Sequence, residues 1–364
     1  MLSRRICLGL FLLASSVLSQ DTFERVPRIV AVGDVHGDYN RFVELLRAAG
    51  LIDGRNVWTG GTAHLVILGD FLDRGQDSRR LMDLLIDLEP RAQSAGGRVH
   101  TLLGNHEAMN TYGDLRYVSG EDFDSYRTRD SKALRENALK RALEEQQAKG
   151  GPPEDLAAFR EKFEAGHPLG YLEHRLAFLP TGKYGKWLRQ QNVMIRINEF
   201  LFVHGGIGPK YALASRKEVN ERVREELMDF SKLGGGIAAD ESGPLWYRGL
   251  AQSPEDDKNM VAHIDQVLRN HQARHIVIGH TPNVAILPRF GGRVITADVG
   301  ISGVYGGTPA FLLVEESKCY NVYRKGRVEV PLDGSNVMEY LRAAQALDSS
   351  NSKLRSLIKQ STGR

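Results

Sequence analysis

Short β-branched apolar runs that end in glycine and polar, ionisable residues recur along the chain: PRIVAVGD (27–34), HLVILGD (64–70), RVHTLLGNHE (98–107), EFLFVHGG (199–206) and HIVIGHT (275–281). Each predicts a buried strand opening into a polar loop. Between the first three, the apolar spacing becomes helical: Phe42, Leu45 and Leu46 share one face of residues 39–50, and Leu81, Leu84 and Leu85 one face of residues 77–90. Strand, helix, strand, helix, strand predicts a parallel α/β start.

The pattern then changes. Residues 119–168 are polar and charged, with a helical run KALRENALKRALEEQQAKGG that Gly150, Gly151, Pro152 and Pro153 terminate. The reading is a helical insert whose charges face solvent, the alternative being a lid or docking surface over the site. Further on, NVMIRINEFLFVHGG predicts a hairpin turning at Asn198 and Glu199, and ILPRFGGRVITADVG another turning at Gly291 and Gly292, so the second half is expected to be more β-rich and antiparallel. Residues 333–364, with Lys353, Arg355, Lys359 and Arg364, read as a polar helical tail, an exposed appendage.

Residues 1–19 carry Arg4 and Arg5 ahead of an apolar stretch, with Val17 and Ser19 placed as small cleavage-site residues. This is the pattern of a secretory signal peptide, and it predicts entry into the secretory pathway, in the endoplasmic reticulum lumen or secreted; import into another organelle is the alternative. No later run reaches the ~18 consecutive apolar residues of a membrane span, so no stable span is expected after signal removal.

Composition narrows the chemistry. With 48 Lys+Arg against 45 Asp+Glu the net charge is only +3, which argues against nucleic acid as a partner. Two cysteines, Cys7 and Cys319, exclude a disulfide scaffold and an all-cysteine zinc site. Any metal must be held by His, Asp, Glu or Asn. Those residues follow the predicted strands: Asp34 and His36, Asp70, Asn105 and His106, His204, and His280. Ligands of open α/β sheets bind beyond the carboxyl ends of the strands, so these loops can converge on one crevice. A mixed His, carboxylate and amide set suits Zn, Mn or Fe. Asp70, with two oxygens, can bridge two ions. Paired metals about 3.5–4 Å apart favour in-line phosphoryl displacement, which makes phosphoester hydrolysis the natural chemistry. Asp73 and Arg74 follow Asp70 closely, Arg248 lies in GPLWYRG, and His106 can stand beside the metals without ligating them.

Together GDVHGD (33–38), GDFLDRG (69–75), GNHE (104–107), HGG (204–206) and GHT (279–281) resemble the calcineurin-like metallophosphoesterases of the phosphoprotein phosphatase superfamily, in the family's order and over residues 27–332. The resemblance implies a four-layer α/β/β/α sandwich with a helical insert. It implies a protein phosphatase, a phosphoric monoester hydrolase acting on a phosphoprotein at Ser/Thr or Tyr by direct attack of a dimetal-bound hydroxide. Asp34, His36 and Asp70 would hold the first divalent ion, and Asp70, Asn105, His204 and His280 the second. His106 would be the general acid, Asp73 its orienting carboxylate, and Arg74 with Arg248 the phosphate clamp, Asn105 also facing substrate. Where Ser/Thr phosphatases carry a SAPNYC box, this sequence reads TADVGISGVYGG. That departure and the long insert resemble the Shewanella-like protein phosphatases.

Other readings of the same residues are weaker. Separate loop turns and caps would require six independent coincidences of ligand type. Cys319 lies in CYNVYR, one residue short of the Cys-x5-Arg a cysteine phosphatase needs. A small-molecule phosphoesterase, such as a dinucleoside polyphosphate hydrolase, shares the metal motifs and is the alternative. A phosphate-binding pseudoenzyme would be expected to lack a ligand or the acid. Glu107 reads as a structural residue that fixes loop geometry, and Trp246 and Tyr305 as candidates to line the pocket.

Overall fold

The computed structural model describes residues 20–151, 155–307 and 309–362; the signal-peptide expectation at 1–19 lies outside them. Among the described residues the strands are β1 (Thr22–Phe23), β2 (Arg28–Val32), β3 (His64–Ile67), β4 (Arg98–Thr101), β5 (Met194–Ile197), β6 (Phe200–Val203), β7 (His275–Ile278), β8 (Leu287–Arg289), β9 (Val294–Thr296), β10 (Ala310–Glu315), β11 (Lys318–Tyr323) and β12 (Gly326–Glu329). They form two six-stranded mixed sheets, ordered β12-β11-β10-β2-β3-β4 and β1-β5-β6-β7-β9-β8. All five apolar runs become strands.

Strands β3 and β6 are buried at every position. Burial on both faces requires a second sheet on one side and helices on the other, which is the α/β/β/α order. The helices Tyr39–Ala48 and Ser78–Ser94 bury the predicted faces, including Phe42, Leu45, Leu46, Leu81, Leu84 and Leu85. One continuous core joins both sheets.

Within the first sheet β2, β3 and β4 are parallel, and within the second β6, β7 and β9 are parallel. The register pairs Val32 with Ile67 and Ile67 with Thr101, and likewise Val203 with Ile278 and Ile278 with Thr296. The strands of each trio therefore end level, and the loops that follow leave from one height. The second half is richer in strands and mostly antiparallel, as its sequence suggests: β5–β6, β8–β9, β10–β11 and β11–β12 all pair antiparallel. The β5–β6 and β8–β9 hairpins turn where expected, but β6, β7 and β9 run side by side.

Helices fill the region before β5: Gly120–Asp124, Ser131–Gly150, Leu156–Gly166, Tyr171–Phe178 and Lys183–Leu188. Ser131–Gly150 buries only Ser131 and Leu139.

The C-terminal tail is not an exposed appendage. Helix Val337–Leu347 buries Tyr340, Leu341 and Ala344, and the Tyr340 hydroxyl donates to Ile286 O at 2.5 Å. Leu354 in the last helix is fully buried, and Asn351 Nδ2 donates to Val284 O at 2.8 Å. The frequent Lys and Arg of this segment hid a narrow apolar stripe at helical spacing. Among the described residues no helix is long and apolar enough to cross a membrane.

Candidate metal centre

The loops after the two parallel trios meet. His204 Nδ1–H donates to Leu68 O at 2.7 Å, Gly279 N to His204 O at 2.8 Å, and His280 N to Asp34 Oδ1 at 3.0 Å, so the strand ends of both sheets are tied together. The approach is too close for side chains at Gly69, where a Cβ would lie 2.6 Å from Gly104 N and 2.7 Å from His204 Nδ1. His36, Asp70, Asp73, Arg74 and His280 all take positive φ, between 45° and 67°. Non-glycine residues held there cost about 1–3 kcal/mol each, a strain that surrounding bonds must overrule. Glu107 supplies many of them: its carboxylate accepts from Asp70 N at 2.8 Å, Phe71 N and Leu72 N at 3.1 Å, and Gly104 N at 2.7 Å.

Asp34, His36, Asp70, Asn105, His204 and His280 are all buried. Donation by His204 Nδ1 leaves Nε2 with a lone pair. That atom stands 3.1 Å from Asn105 Oδ1, 3.1 Å from His280 Nδ1 and 3.3 Å from Asp70 Oδ2. His36 Nδ1 likewise lies 3.0 Å from Leu72 O, which turns Nε2 toward Asp34 Oδ2 and Asp70 Oδ2, each 4.0 Å away. Donor atoms of Asp70, His204 and His280 lie within 4.8 Å of one another, as do those of His36, Asp70 and His106. Asp70 belongs to both groups.

Electrostatics demand a cation. Asp34, Asp70, Glu107 and Asp298 are buried together, and among the described residues no Lys or Arg pairs with any of them. Burial, then Asp298 and Asp70, drives the Asp34 carboxyl well above its ordinary range. Burial pushes Asp298 to about 6, and burial with the Asp70 charge pushes Glu107 to about 7. Burial acts on Asp70 in the same sense, yet His204, His106 and His36 hold it well below the usual carboxylate range. Buried carboxylates are stable only when paired or when they coordinate metal, and this donor set of imidazole, carboxylate and amide oxygen fits divalent ions.

Beside this cluster lies a dyad. His106 Nδ1–H donates to Asp73 Oδ2 at 2.6 Å, while Asn110 Nδ2 donates to Asp73 Oδ1 at 2.8 Å, so both carboxylate oxygens are fixed. His106 Nε2 faces the cluster, 3.9 Å from Asp70 Oδ2. Burial acts to lower the imidazole's pKa, but Asp70 and Asp73 outweigh it and raise it above the ordinary value. Arg74 lies over two rings, 4.7 Å from the Tyr117 centroid and 5.4 Å from that of Tyr305, with Nε unbonded among the described residues. Arg248 donates to His280 O at 2.7 Å and Thr281 Oγ1 at 3.1 Å. Neither arginine has a carboxylate partner among the described residues, which leaves two cations bordering the cluster of candidate ligands, an arrangement suited to a phosphoryl group.

The calcineurin-like phosphoesterase profile matches residues 27–284. The chain belongs to that family. An uncharacterised protein of Schizosaccharomyces pombe is 32% identical to this phosphoesterase over 312 residues, 80% of this chain and 79% of that one. Shewanella-like protein phosphatase 2 of Arabidopsis thaliana is 29% identical over 300 residues, 80% of this chain and 76% of that one. Among solved structures, a cold-active protein-tyrosine phosphatase of a psychrophilic Shewanella species superposes with a TM-score of 0.65 at 27% identity, covering 86% of this chain and 83% of that one. The phosphoesterase is a metal-dependent phosphatase of mixed α/β fold, resembling the Shewanella-like branch.

The structure brings together all ten residues singled out in the sequence: Asp34, His36, Asp70, Asp73, Arg74, Asn105, His106, His204, Arg248 and His280. Tyr305 and Trp246 also reach the centre, their rings 5.3 Å from His36 and 6.2 Å from His280. Three participants were not foreseen. Asp298 follows β9, a strand whose run is too short to stand out, although the TADVG string has the same strand-then-carboxylate form as the others. Asn110 lies one helical turn beyond His106, and that i, i+4 spacing was the available signal. Tyr117 gave none, because its place over Arg74 is set by the path of the insert.

That path also shows where the insert and the residues on either side of it attach. Arg74 N donates to Tyr117 O at 2.9 Å, Ser119 Oγ to Gly75 O at 2.8 Å, and Arg175 Nη1 to Asn110 O at 2.6 Å; Arg79 Nη1 donates to Ser125 O.

Proposed function

We propose that this phosphoesterase is a phosphoprotein phosphatase that hydrolyses phosphomonoesters at a centre of two divalent ions, drawn from Mn, Fe and Zn. The observation that carries the reading is the sharing of Asp70 between two His/Asp groups, with the His106–Asp73 dyad and two carboxylate-free arginines at the edge of the same cleft. Asp34, His36 and Asp70 would hold one ion and Asp70, Asn105, His204 and His280 the other. Ions held there supply Lewis acidity to the phosphoryl oxygens and a water acidic enough to act as nucleophile at neutral pH.

The remaining work falls to the chain itself. Arg74 and Arg248 bind the phosphoryl oxygens, and Asn105 borders the same space. His106, protonated and held by Asp73, delivers its Nε2 proton to the departing alkoxide or phenoxide, and Asp73 stabilises the imidazolium. The names of the Arabidopsis and Shewanella proteins support a phosphoprotein substrate, and the latter's support phosphotyrosine among the residues cleaved. We place the mature enzyme in the secretory pathway, on the signal-like residues 1–19; N-terminal sequencing of the mature protein tests this, and an intact Met1 refutes it.

The test of function compares phosphotyrosine peptides, phosphoserine and phosphothreonine peptides, and dinucleoside polyphosphates, with and without added Mn2+. Metal-dependent release of phosphate from the peptides is expected. Preference for dinucleoside polyphosphates overturns the reading.

A further inference from the structure

We infer that the cavity between the His280 loop, the Tyr305 loop and the C-terminal helices binds the polypeptide flanking the phosphorylated residue. The inference rests on the phosphoprotein reading and adds to it where the rest of the substrate lies. The cavity measures about 540 Å3 and is bordered by Asn283, Val284, Tyr305, Gly306, Asn351 and Lys353 among others. That is within the ~300–1,000 Å3 typical of clefts that hold ligands.

Tyr305 connects it to the metal centre. Its ring stands 5.3 Å from that of His36 and 5.4 Å from the Arg74 guanidinium carbon, while the same residue forms a wall of the cavity. A chain leaving the phosphate position past Tyr305 enters this space.

The Tyr305 loop is held from both sides. Asp38 Oδ2 accepts from Gly303 N at 3.1 Å, and Arg41 Nη1 donates to Gly307 O at 2.6 Å. From the tail, Lys353 Nζ reaches Tyr305 O at 3.4 Å, and Asn351 holds Val284 in the opposite wall. Between these anchors Gly306 takes φ 125°, and a Cβ there would meet nothing within 4 Å. Its N–H and C=O bond to nothing among the described residues. A bare, unpaired backbone on a cavity wall is a place where another backbone can approach and hydrogen-bond. Beside it Lys353, its Nζ on Tyr305 O, is exposed and has no carboxylate partner among the described residues, while Asp348, the acid on the cavity, accepts from Ser350 Oγ at 2.8 Å. The walls therefore suit an extended peptide that pairs with Gly306 and carries an acidic side chain toward Lys353.

The packed tail thereby acquires a role: it builds the outer wall of the substrate groove. Lys353→Glu is the test, in the metal-loaded full-length enzyme. For a phosphopeptide with acidic flanking residues, kcat/KM should fall about tenfold, the effect of ~1.4 kcal/mol, and Lys353→Arg should restore it. For a small aryl phosphate kcat/KM should stay within about twofold. In calorimetry a peptide bearing a non-hydrolysable phosphonate should bind about tenfold more weakly to the variant, and inorganic phosphate equally well to both proteins. Equal losses for peptide and aryl phosphate, or no loss for either, overturn the inference, as does a loss confined to dinucleoside polyphosphates. A wild-type enzyme that cleaves aryl phosphate but no phosphopeptide instead refutes the phosphoprotein reading on which it rests.

Discussion

Replacing Asp73 by Asn isolates the proton-delivery part of the mechanism. The carboxylate accepts two bonds, from His106 Nδ1–H at 2.6 Å and from Asn110 Nδ2 at 2.8 Å. An amide offers one oxygen and one NH2, so only one donor can be served. Asn110 cannot turn to compensate without losing its bond to His106 O at 2.9 Å. Either Asn110 faces an NH2 group, or His106 Nδ1 does and its tautomer inverts, removing the proton from the side that faces the cleft. A general acid contributes about 10²–10⁴ in rate, or ~3–5.5 kcal/mol, and most of that should be lost from kcat. The loss of one charge-assisted bond costs about 1.5–3 kcal/mol of stability, a level the folded enzyme should survive. The assay is a series of phosphomonoesters whose leaving groups span alkyl alcohols to nitrophenol. Weakly basic leaving groups need no proton, so kcat for p-nitrophenyl phosphate should fall least and kcat for phosphoserine peptides most, with metal content unchanged. A uniform loss across the series, or loss of bound metal, refutes the assignment of His106 and Asp73.

Asp70→Ala should empty both metal positions together in elemental analysis, and retention of two ions per chain refutes the bridging role. Glu107, pushed to about 7, and Asp298, pushed to about 6, are partly protonated in the metal-free protein near neutrality, and a cation on Asp70 and Asp34 favours their ionised forms. Metal loading should therefore release protons, and affinity should rise with pH through about 6–7. Calorimetry at pH 6.5 in buffers of different ionisation enthalpy measures that release, and a buffer-independent heat refutes it. Arg175→Met removes the bond to Asn110 O and loosens the support of Asp73 from outside the cleft. It should lower kcat about three- to tenfold with KM unchanged, ~0.6–1.4 kcal/mol, and Arg175→Lys should recover part of it; a rise in KM alone contradicts the positioning role.

Much of this centre was legible because its parts are local in sequence. A buried parallel strand announces itself as an uninterrupted apolar run, and the candidate ligands follow within a few residues of its end, so the clustering of Asp34, Asp70, Asn105, His204 and His280 could be expected from short strings. What could not be read depends on contacts between distant segments. Tyr340 looks like one aromatic in a polar tail until its hydroxyl is found on Ile286 O and Asn321 Nδ2. Asp298 follows a three-residue strand, too short to carry a pattern, and is placed beside Asp34 by the pairing of β9 with β7. The parallel direction of β6, β7 and β9 was hidden for a similar reason. A hairpin reveals antiparallel neighbours through its turn, whereas β6, β7 and β9 are joined by long connections that carry no such mark.

The insert and the residues on either side of it meet the loop after β3 and the helices beside it through main-chain carbonyls: Tyr117 O receives Arg74 N, Gly75 O receives Ser119, Ser125 O receives Arg79, and Asn110 O receives Arg175. A carbonyl is supplied by every residue type, so Tyr117 and Ser125 enter these bonds by their path rather than their identity. The insert's outward surface, including most of Ser131–Gly150, is exposed and makes none of these bonds, so a binding epitope grafted there would alter no residue in the cleft.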